Sequence, residues 1–175
     1  MTMRRVLAFL VLLATIPLAH AAGGKPQQTP GSRTREFLDV HGQEIALQEI
    51  KRIDRMRIFL SKDLHAALRA ARIGQEAFVA AHPGDKPGLV EVGFNSGDGN
   101  EFDSYAIGLT NMLAKNRVAV DVGFVDSDQD TMVRWKDRYE WVLEGGTWRL
   151  DDIVFRSEGR PGPREHRLKT MLRSH

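Results

Sequence analysis

Hydrophobic and polar positions alternate in the second half of the chain in a pattern that predicts a β-hairpin. The segment VRWKDRYEWVLEGGTWRLDDIVF, residues 133–155, contains two alternating runs separated by glycines. Because side chains on a strand alternate between faces, one face of the first run is mostly apolar and the other is charged. The apolar face consists of Val133, Trp135, Tyr139, Trp141 and Leu143. Asp137 also falls on this face, and a carboxylate among aromatic side chains is the first candidate for a functional residue.

Further strands are predicted before this hairpin. RVAVDVGFVD at residues 117–126 alternates in the manner of a half-buried strand. The polar sequence SDQD connects it to the hairpin, so that three consecutive strands form an antiparallel meander. A short strand is also expected at residues 88–94 and a polar loop at 95–104, whereas residues 105–116 fit either a strand or a loop.

The first half of the chain has the three- and four-residue apolar spacing of helices. Residues 34–57 are predicted to be helical, with Gly42 as a point where the helix can break. Ser61 is a favourable N-cap for a second helix, which His82-Pro83-Gly84 would end. The apolar stripe of that helix comprises Leu64, Leu68, Ala71, Gln75, Phe78 and Val79. With a short C-terminal helix in RLKTMLRSH that packs back on the sheet, the pattern predicts the α+β class.

The N-terminus has the layout of a secretory signal peptide. Arg4 and Arg5 precede an apolar run at residues 6–18, and Ala19-His20-Ala21 forms a small-x-small cleavage site. We expect residues 1–21 to be removed near Ala21 and the protein to be periplasmic. Residues 22–33 are rich in Gly, Pro and Gln and are predicted to be a disordered linker, so that the domain spans residues 34–172.

Composition narrows the classes of partner. The chain has no Cys, so neither disulfides nor a lipid-modified Cys are expected, and no membrane anchor is predicted. Without the signal peptide the chain has 23 basic and 23 acidic residues, so a nucleic-acid partner is not expected. Positive charge is concentrated in residues 156–175, which are interpreted as a solvated basic segment.

Several quoted stretches resemble a known family. The helix FLSKDLHAAL, the late strand motif GTWRLDDI and the closing RLKTMLRSH are similar to exported bacterial proteins of a domain-of-unknown-function family (DUF3828-type). That family has a nuclear-transport-factor-2-like cone fold, and the resemblance covers residues 35–172. It implies two N-terminal helices packed on a curved antiparallel sheet, a short C-terminal helix, and a pocket between helices and sheet. It implies no established activity, and it leaves a homodimer through the sheet open.

The resemblance also suggests where a site would lie. In this interpretation the ligand pocket is lined by Trp135, Asp137, Tyr139, Trp141 and Trp148. Some cone folds, such as ketosteroid isomerases, place a carboxylate and a tyrosine hydroxyl in this pocket, which makes Asp137 with Tyr139 or Tyr105 the catalytic candidates. The alternative, which we favour, is a structural Asp137 that lies at the mouth of the cone or is paired with an arginine of a helix, Arg69 or Arg72, because buried charges are usually paired.

The other acidic residues and the histidines provide no strong candidate for a catalytic or metal site. Asp151 and Asp152 are neighbours on a strand and point to opposite faces, so capping or ion pairing with a helix is predicted for them. The sequence DSDQD resembles a calcium loop only loosely, since its sixth position is Thr131 rather than glycine, and a hairpin turn is the better interpretation. The histidines are dispersed and Cys is absent, so neither a metal nor a cofactor is expected.

Three functional hypotheses remain from the sequence. The favoured one is a non-enzymatic periplasmic binding or interaction module that holds a small molecule, a peptide or another envelope protein. The second is an isomerase- or hydrolase-like enzyme that uses Asp137 with Tyr139 or Tyr105. The third is an inhibitor or immunity protein that blocks a secreted toxin through its acidic loops.

Overall fold

The computed structural model describes residues 28–86, 92–95, 101–128, 131–156 and 165–173. The elements are α1 Pro30–His41, α2 Ile50–Arg55, a 3₁₀ turn Met56–Ile58, α3 Lys62–Ala81, β1 Ser104–Ala114, β2 Arg117–Asp128, β3 Thr131–Glu144, β4 Thr147–Arg156, β5 Glu165–Arg167 and α4 Leu168–Arg173. The predicted α+β class is confirmed, and so is the short C-terminal helix. The predicted signal peptide and residues 22–27 of the predicted linker lie outside the described residues.

The five strands form one antiparallel sheet in the order β1-β2-β3-β4-β5. The predicted meander is therefore confirmed. Most of residues 105–116, which fitted either a strand or a loop, belong to strand β1. Gly145 and Gly146 join β3 to β4 with φ values of 56° and 79°. A two-residue hairpin turn needs positive φ at such positions, and glycine adopts it without a steric penalty.

The start of the domain differs from the prediction. Thr29 caps α1 through its side chain, which accepts a hydrogen bond from the backbone N–H of Ser32, and Pro30 occupies the first turn. Residues 30–33, predicted to belong to the linker, are therefore helical. The helical stretch predicted over residues 34–57 is interrupted at Gly42, the predicted break point, since α1 ends at His41 and α2 begins at Ile50.

The long helix α3 agrees with the prediction at its ends but not along its full length. Ser61 accepts a hydrogen bond from Leu64 N at 3.0 Å, and the helix ends at Ala81, directly before His82. Leu64 and Leu68 are buried against the sheet. The second half of the predicted apolar stripe is largely exposed at Phe78 and Val79, because α3 continues past the elements that cover its first half.

Residues of the helices and of the sheet belong to one hydrophobic cluster on a face of the sheet. Its central positions are fully buried, with Val120 and Val122 on β2 and Tyr139 and Trp141 on β3. Phe37 of α1, Leu64 of α3 and Leu168 of α4 belong to the same cluster. The ends of the apolar β3 face, Val133 and Leu143, are exposed instead. Of the predicted strand at 88–94, the described part makes a single bridge, between Gly93 and Ile45.

Candidate functional site

Asp137 lies in the middle of β3 and is 2% exposed. Its Oδ1 accepts a hydrogen bond from the backbone N–H of Arg156 on β4 at 3.0 Å. Its Oδ2 has no hydrogen-bond partner among the described residues. Burial raises the pKa of Asp137 to about 7, against the opposing effects of the Arg156 N–H, the Trp135 side chain and the Arg156 charge. The carboxyl group is therefore partly protonated near neutral pH.

The predicted partners of Asp137 are wrong. Arg69 donates to both carboxylate oxygens of Asp54 at 2.6 Å, and Arg72 donates to Glu76 at 2.8 Å. Both arginines pair with residues on the helical side of the fold that lie closer to them than the sheet does. Asp137 is stabilised by a backbone N–H, which alternation along a single strand cannot indicate.

The two candidate tyrosines are hydrogen-bonded to groups other than Asp137. Tyr139 is fully buried and donates to the carbonyl oxygen of Phe94 at 2.5 Å. Burial and the nearby Asp137 raise its pKa well above the ordinary value. Tyr105 on β1 donates to Asp39 of α1, and burial followed by Asp39 raises its pKa to about 12. Both hydroxyl groups are therefore protonated at neutral pH and are fixed by helix and loop contacts.

The three tryptophans are distributed along the sheet. Trp135 stacks on Phe124 with 5.3 Å between ring centroids and donates its indole N–H to Asn95 O at 2.8 Å. Trp141 is fully buried, and its indole N–H has no partner among the described residues. Trp148 is partly buried and lies opposite Leu143 near the hairpin turn. Trp135, Asp137 and Tyr139 thus share one stretch of β3, and the ligand pocket predicted around them stays a prediction.

The paired acids of the late strand have a structural role. The register shifts after Glu140, so that Asp151 is the extra residue of a β-bulge. Asp151 accepts from Ser61 Oγ at 2.8 Å, from Lys169 Nζ at 3.0 Å and from Arg117. Burial acts to raise its pKa, but these donors hold the pKa below the ordinary value.

Asp152 binds the C-terminal segment. Its Oδ1 accepts from the backbone N–H of Lys169 in α4 at 3.0 Å, and its Oδ2 accepts from Arg167 at 3.2 Å. Arg167 also binds the buried Glu140. Capping and ion pairing, the predicted role of the two aspartates, is therefore confirmed. The interpretation of residues 156–175 as a solvated segment is wrong for Arg167 and Lys169, which are paired with buried carboxylates.

The remaining acidic motifs give no metal centre in the described part of the chain. No group of three or more His, Asp or Glu side chains there is arranged to hold an ion. Residues 129–130 of the calcium-like sequence and 96–100 of the acidic loop lie outside the described residues. Asp103 accepts hydrogen bonds from the backbone and side chain of Ser127, so it connects the two strand ends rather than facing a ligand.

Two surface features were missed by the sequence reasoning. One is the free edge of β1, where Leu109 and Met112 are 72% and 71% exposed. Register shifts along β1 interrupt the alternation of apolar and polar side chains, so the sequence pattern does not clearly predict a strand there. The other is a cleft of about 280 Å³ beside the β3–β4 hairpin. It is lined by Arg57, Leu60, Ser61, Lys62, His65, Glu144 and Arg149. Its residues come from distant parts of the chain, so no local motif marks it.

Comparison with protein-family models and with curated proteins finds no match to this chain. None of the helices within the described residues is long and apolar enough to cross a membrane.

Proposed function

We propose that the protein is an exported, non-enzymatic protein-interaction module whose binding surface is the free edge of β1. Export is supported by the signal-peptide layout of residues 1–21, which would deliver the chain to the periplasm. A nuclear-transport-factor-2-like cone, and membership of the exported domain-of-unknown-function family, are part of the same proposal. The order of helices followed by a meander supports both, as do the contacts made by the GTWRLDDI strand.

The observation that carries the proposal is an edge strand whose outer side is paired with no other strand among the described residues. β1 is the terminal strand of the sheet, and its sequence SYAIGLTNMLA contains no charged residue and no proline. Natural proteins usually protect an edge of this length with lysine, proline or a covering element, because free N–H and C=O groups recruit other chains. The exposed Leu109, Met112 and Leu113 add apolar contact area to that edge.

The occupant that fits this edge is an extended segment of another envelope protein. Such a segment would pair its backbone with β1 and place alternate apolar side chains beside Leu109 and Met112, in the manner of strand addition. The charged faces found elsewhere on the sheet would contribute little affinity and would act mainly on the rate of encounter.

The test uses the full-length protein expressed in its own cell envelope and recovered gently for native mass spectrometry. A bound protein should be present with the wild type and absent with Leu109→Lys or Met112→Lys, because a lysine at an edge opposes strand pairing. Met132→Lys is the control, since Met132 is similarly exposed but lies on the interior strand β3. Hydrogen exchange should localise protection in the complex to residues 104–114.

Three outcomes would overturn the proposal. A small-molecule adduct without a bound protein would move the function to a pocket. A homodimer that the edge variants dissociate would make the occupant a second copy. A bound protein retained by both edge variants would mean that the partner uses another surface.

One observation favours an enzyme as the second candidate. Asp137 combines a hydrogen-bond-free Oδ2 with a pKa of about 7, a value suited to general acid–base chemistry. Such chemistry needs access to a substrate, which labelling of native protein with a water-soluble carbodiimide measures. Modification of Asp137 at a rate similar to Asp126 supports the enzyme. Labelling of Asp137 only after unfolding rules it out.

A further inference from the structure

We infer that the cleft beside the β3–β4 hairpin binds a small anionic molecule through its phosphate or carboxylate group. The cleft lies between the start of α3 and the hairpin, and its walls carry three permanent cations, Arg57, Lys62 and Arg149. The site is separate from the free edge of β1, so it stands independently of the proposed interaction function.

The cationic side chains of the cleft are largely uncommitted. Arg57 and Lys62 make no side-chain hydrogen bond or ion pair with another described residue, and Arg149 donates to the carbonyl oxygen of Ile58. His65 binds Asp54 at 2.9 Å and is not free to bind a ligand. Among the lining residues that the structure describes, Glu144 is the only carboxylate, so these residues carry an excess of two positive charges before His65 is considered. The described protein groups do not neutralise this positive charge, and a bound anion would neutralise it.

The floor of the cleft is fixed by backbone hydrogen bonds rather than by a mobile loop. Ser61 N donates to Leu150 O at 2.8 Å, and Leu150 N donates to Phe59 O at 2.7 Å. The hydroxyl group of Ser61 is held by Asp151 on the same strand. When a ligand binds to a preformed site of this kind, little free energy is lost in ordering the backbone around it.

Glu144 already places a carboxylate in the cleft. Its two oxygens lie 3.4 Å and 3.3 Å from Lys62 N, which is longer than a strong hydrogen bond. The side chain is therefore held weakly; its negative charge would repel a ligand anion in the cleft, and its oxygens would compete with that anion for the N–H of Lys62. This competition gives the proposal a distinctive consequence, since removing the Glu144 charge should strengthen anion binding.

The size of the cleft limits the ligand. A volume of about 280 Å³ lies near the lower end of the range for small-molecule sites. It suits a small organic phosphate or a di- or tricarboxylate better than a nucleotide or a long chain. Phosphate and carboxylate share the chemistry that guanidinium and ammonium groups recognise, so two probes are needed to distinguish them.

The experiment titrates the mature protein with inorganic phosphate and, separately, with citrate, and follows backbone amide shifts by NMR. Saturable shifts should centre on residues 57–65 and 144–149. Arg57→Gln and Lys62→Gln should each weaken binding roughly three- to tenfold, since each removes one charged contact. Glu144→Gln should strengthen it by a similar factor. The probe that binds more tightly identifies the ligand group.

The matched control is Arg55→Gln, which removes an exposed cation two residues from Arg57 and outside the cleft. It should leave binding within twofold of the wild type. The inference is overturned if neither probe gives saturable shifts in these segments, or if Arg55→Gln weakens binding as much as Arg57→Gln. It is also overturned if Glu144→Gln leaves affinity unchanged. Thermal unfolding of each variant verifies that the fold is intact.

Discussion

Asp137 is an almost fully buried carboxyl group in the middle of β3. Alternation along β3 correctly placed it on the buried face, between Trp135 and Tyr139. It could not indicate the partner, because the Arg156 N–H reaches Asp137 through the pairing of β3 with β4. No described residue donates a hydrogen bond to its second carboxylate oxygen, and a buried charge without such donors is costly. The protein relieves that cost by raising the pKa.

Asp137 should therefore make the folding stability depend on pH. Its folded pKa of about 7 lies above the ordinary value of 3.8, so between these pH values the unfolded chain releases a proton that the folded chain keeps. Stability should fall as pH rises through this window, by up to about 4 kcal/mol above pH 7. Asp137→Asn keeps an acceptor for Arg156 N–H and does not titrate. It should be more stable than the wild type at pH 8, with the difference shrinking as the pH falls towards 4.

Urea unfolding at a series of pH values measures this difference. Asp103→Asn is the control of opposite sign, because hydrogen bonds from Ser127 hold the pKa of Asp103 below its ordinary value. The ionised Asp103 of the wild type should stabilise the fold at neutral pH, and this contribution, which Asp103→Asn lacks, should disappear as the pH falls through the folded pKa of Asp103. Parallel pH curves for wild type and Asp137→Asn would mean that Asp137 stays ionised in the folded protein.

At the scale of helices and strands, the elements predicted best are those set by local signals. Ser61, the glycines of the β3–β4 turn and the alternation on β2 each act within a few residues, so they are readable from the chain. The bulge at Asp151 is set by register with another strand, and so is the close approach at Gly108, where an added Cβ would lie 3.0 Å from Asp121 O. The free edge and the cleft depend on tertiary packing, which local pattern does not encode.

Two glycines illustrate how the same substitution acts differently in two elements. Gly146→Ala places a Cβ at φ 79° in the β3–β4 turn and should destabilise the protein by about 1 kcal/mol. Gly74 lies in α3 with no atom within 4 Å of an added Cβ, so Gly74→Ala should stabilise by roughly 0.5–1 kcal/mol. Urea unfolding of both variants provides the comparison. Equal effects of the same sign would contradict the assigned turn geometry.

At the scale of the whole molecule, the C-terminal segment neutralises acids contributed by the sheet. Glu140 on β3 and Asp152 on β4 are both nearly fully buried and lie opposite each other in the register. Arg167 of β5 binds both carboxylates, and the Glu140 contact is the main reason that its pKa is raised. A cation of the basic C-terminus therefore pairs with the buried acids of the β3–β4 hairpin, although composition alone suggested a solvated segment.

Arg167→Met should consequently cost far more stability than removal of a neighbouring arginine. The substitution leaves two facing carboxylates without their shared cation, and breaking a buried ion pair in this way costs about 3–5 kcal/mol. Because the Arg167 side chain is 42% exposed, solvent screens part of the loss, and we expect about 2 kcal/mol.

The control for this prediction is Arg173→Met, since Arg173 pairs with the exposed Asp63 and should contribute less than about 1 kcal/mol. Urea unfolding at neutral pH measures both losses of stability. If the two arginine variants unfold at the same urea concentration, the C-terminal segment is an accessory to the fold, and the buried carboxylates are stabilised by other groups.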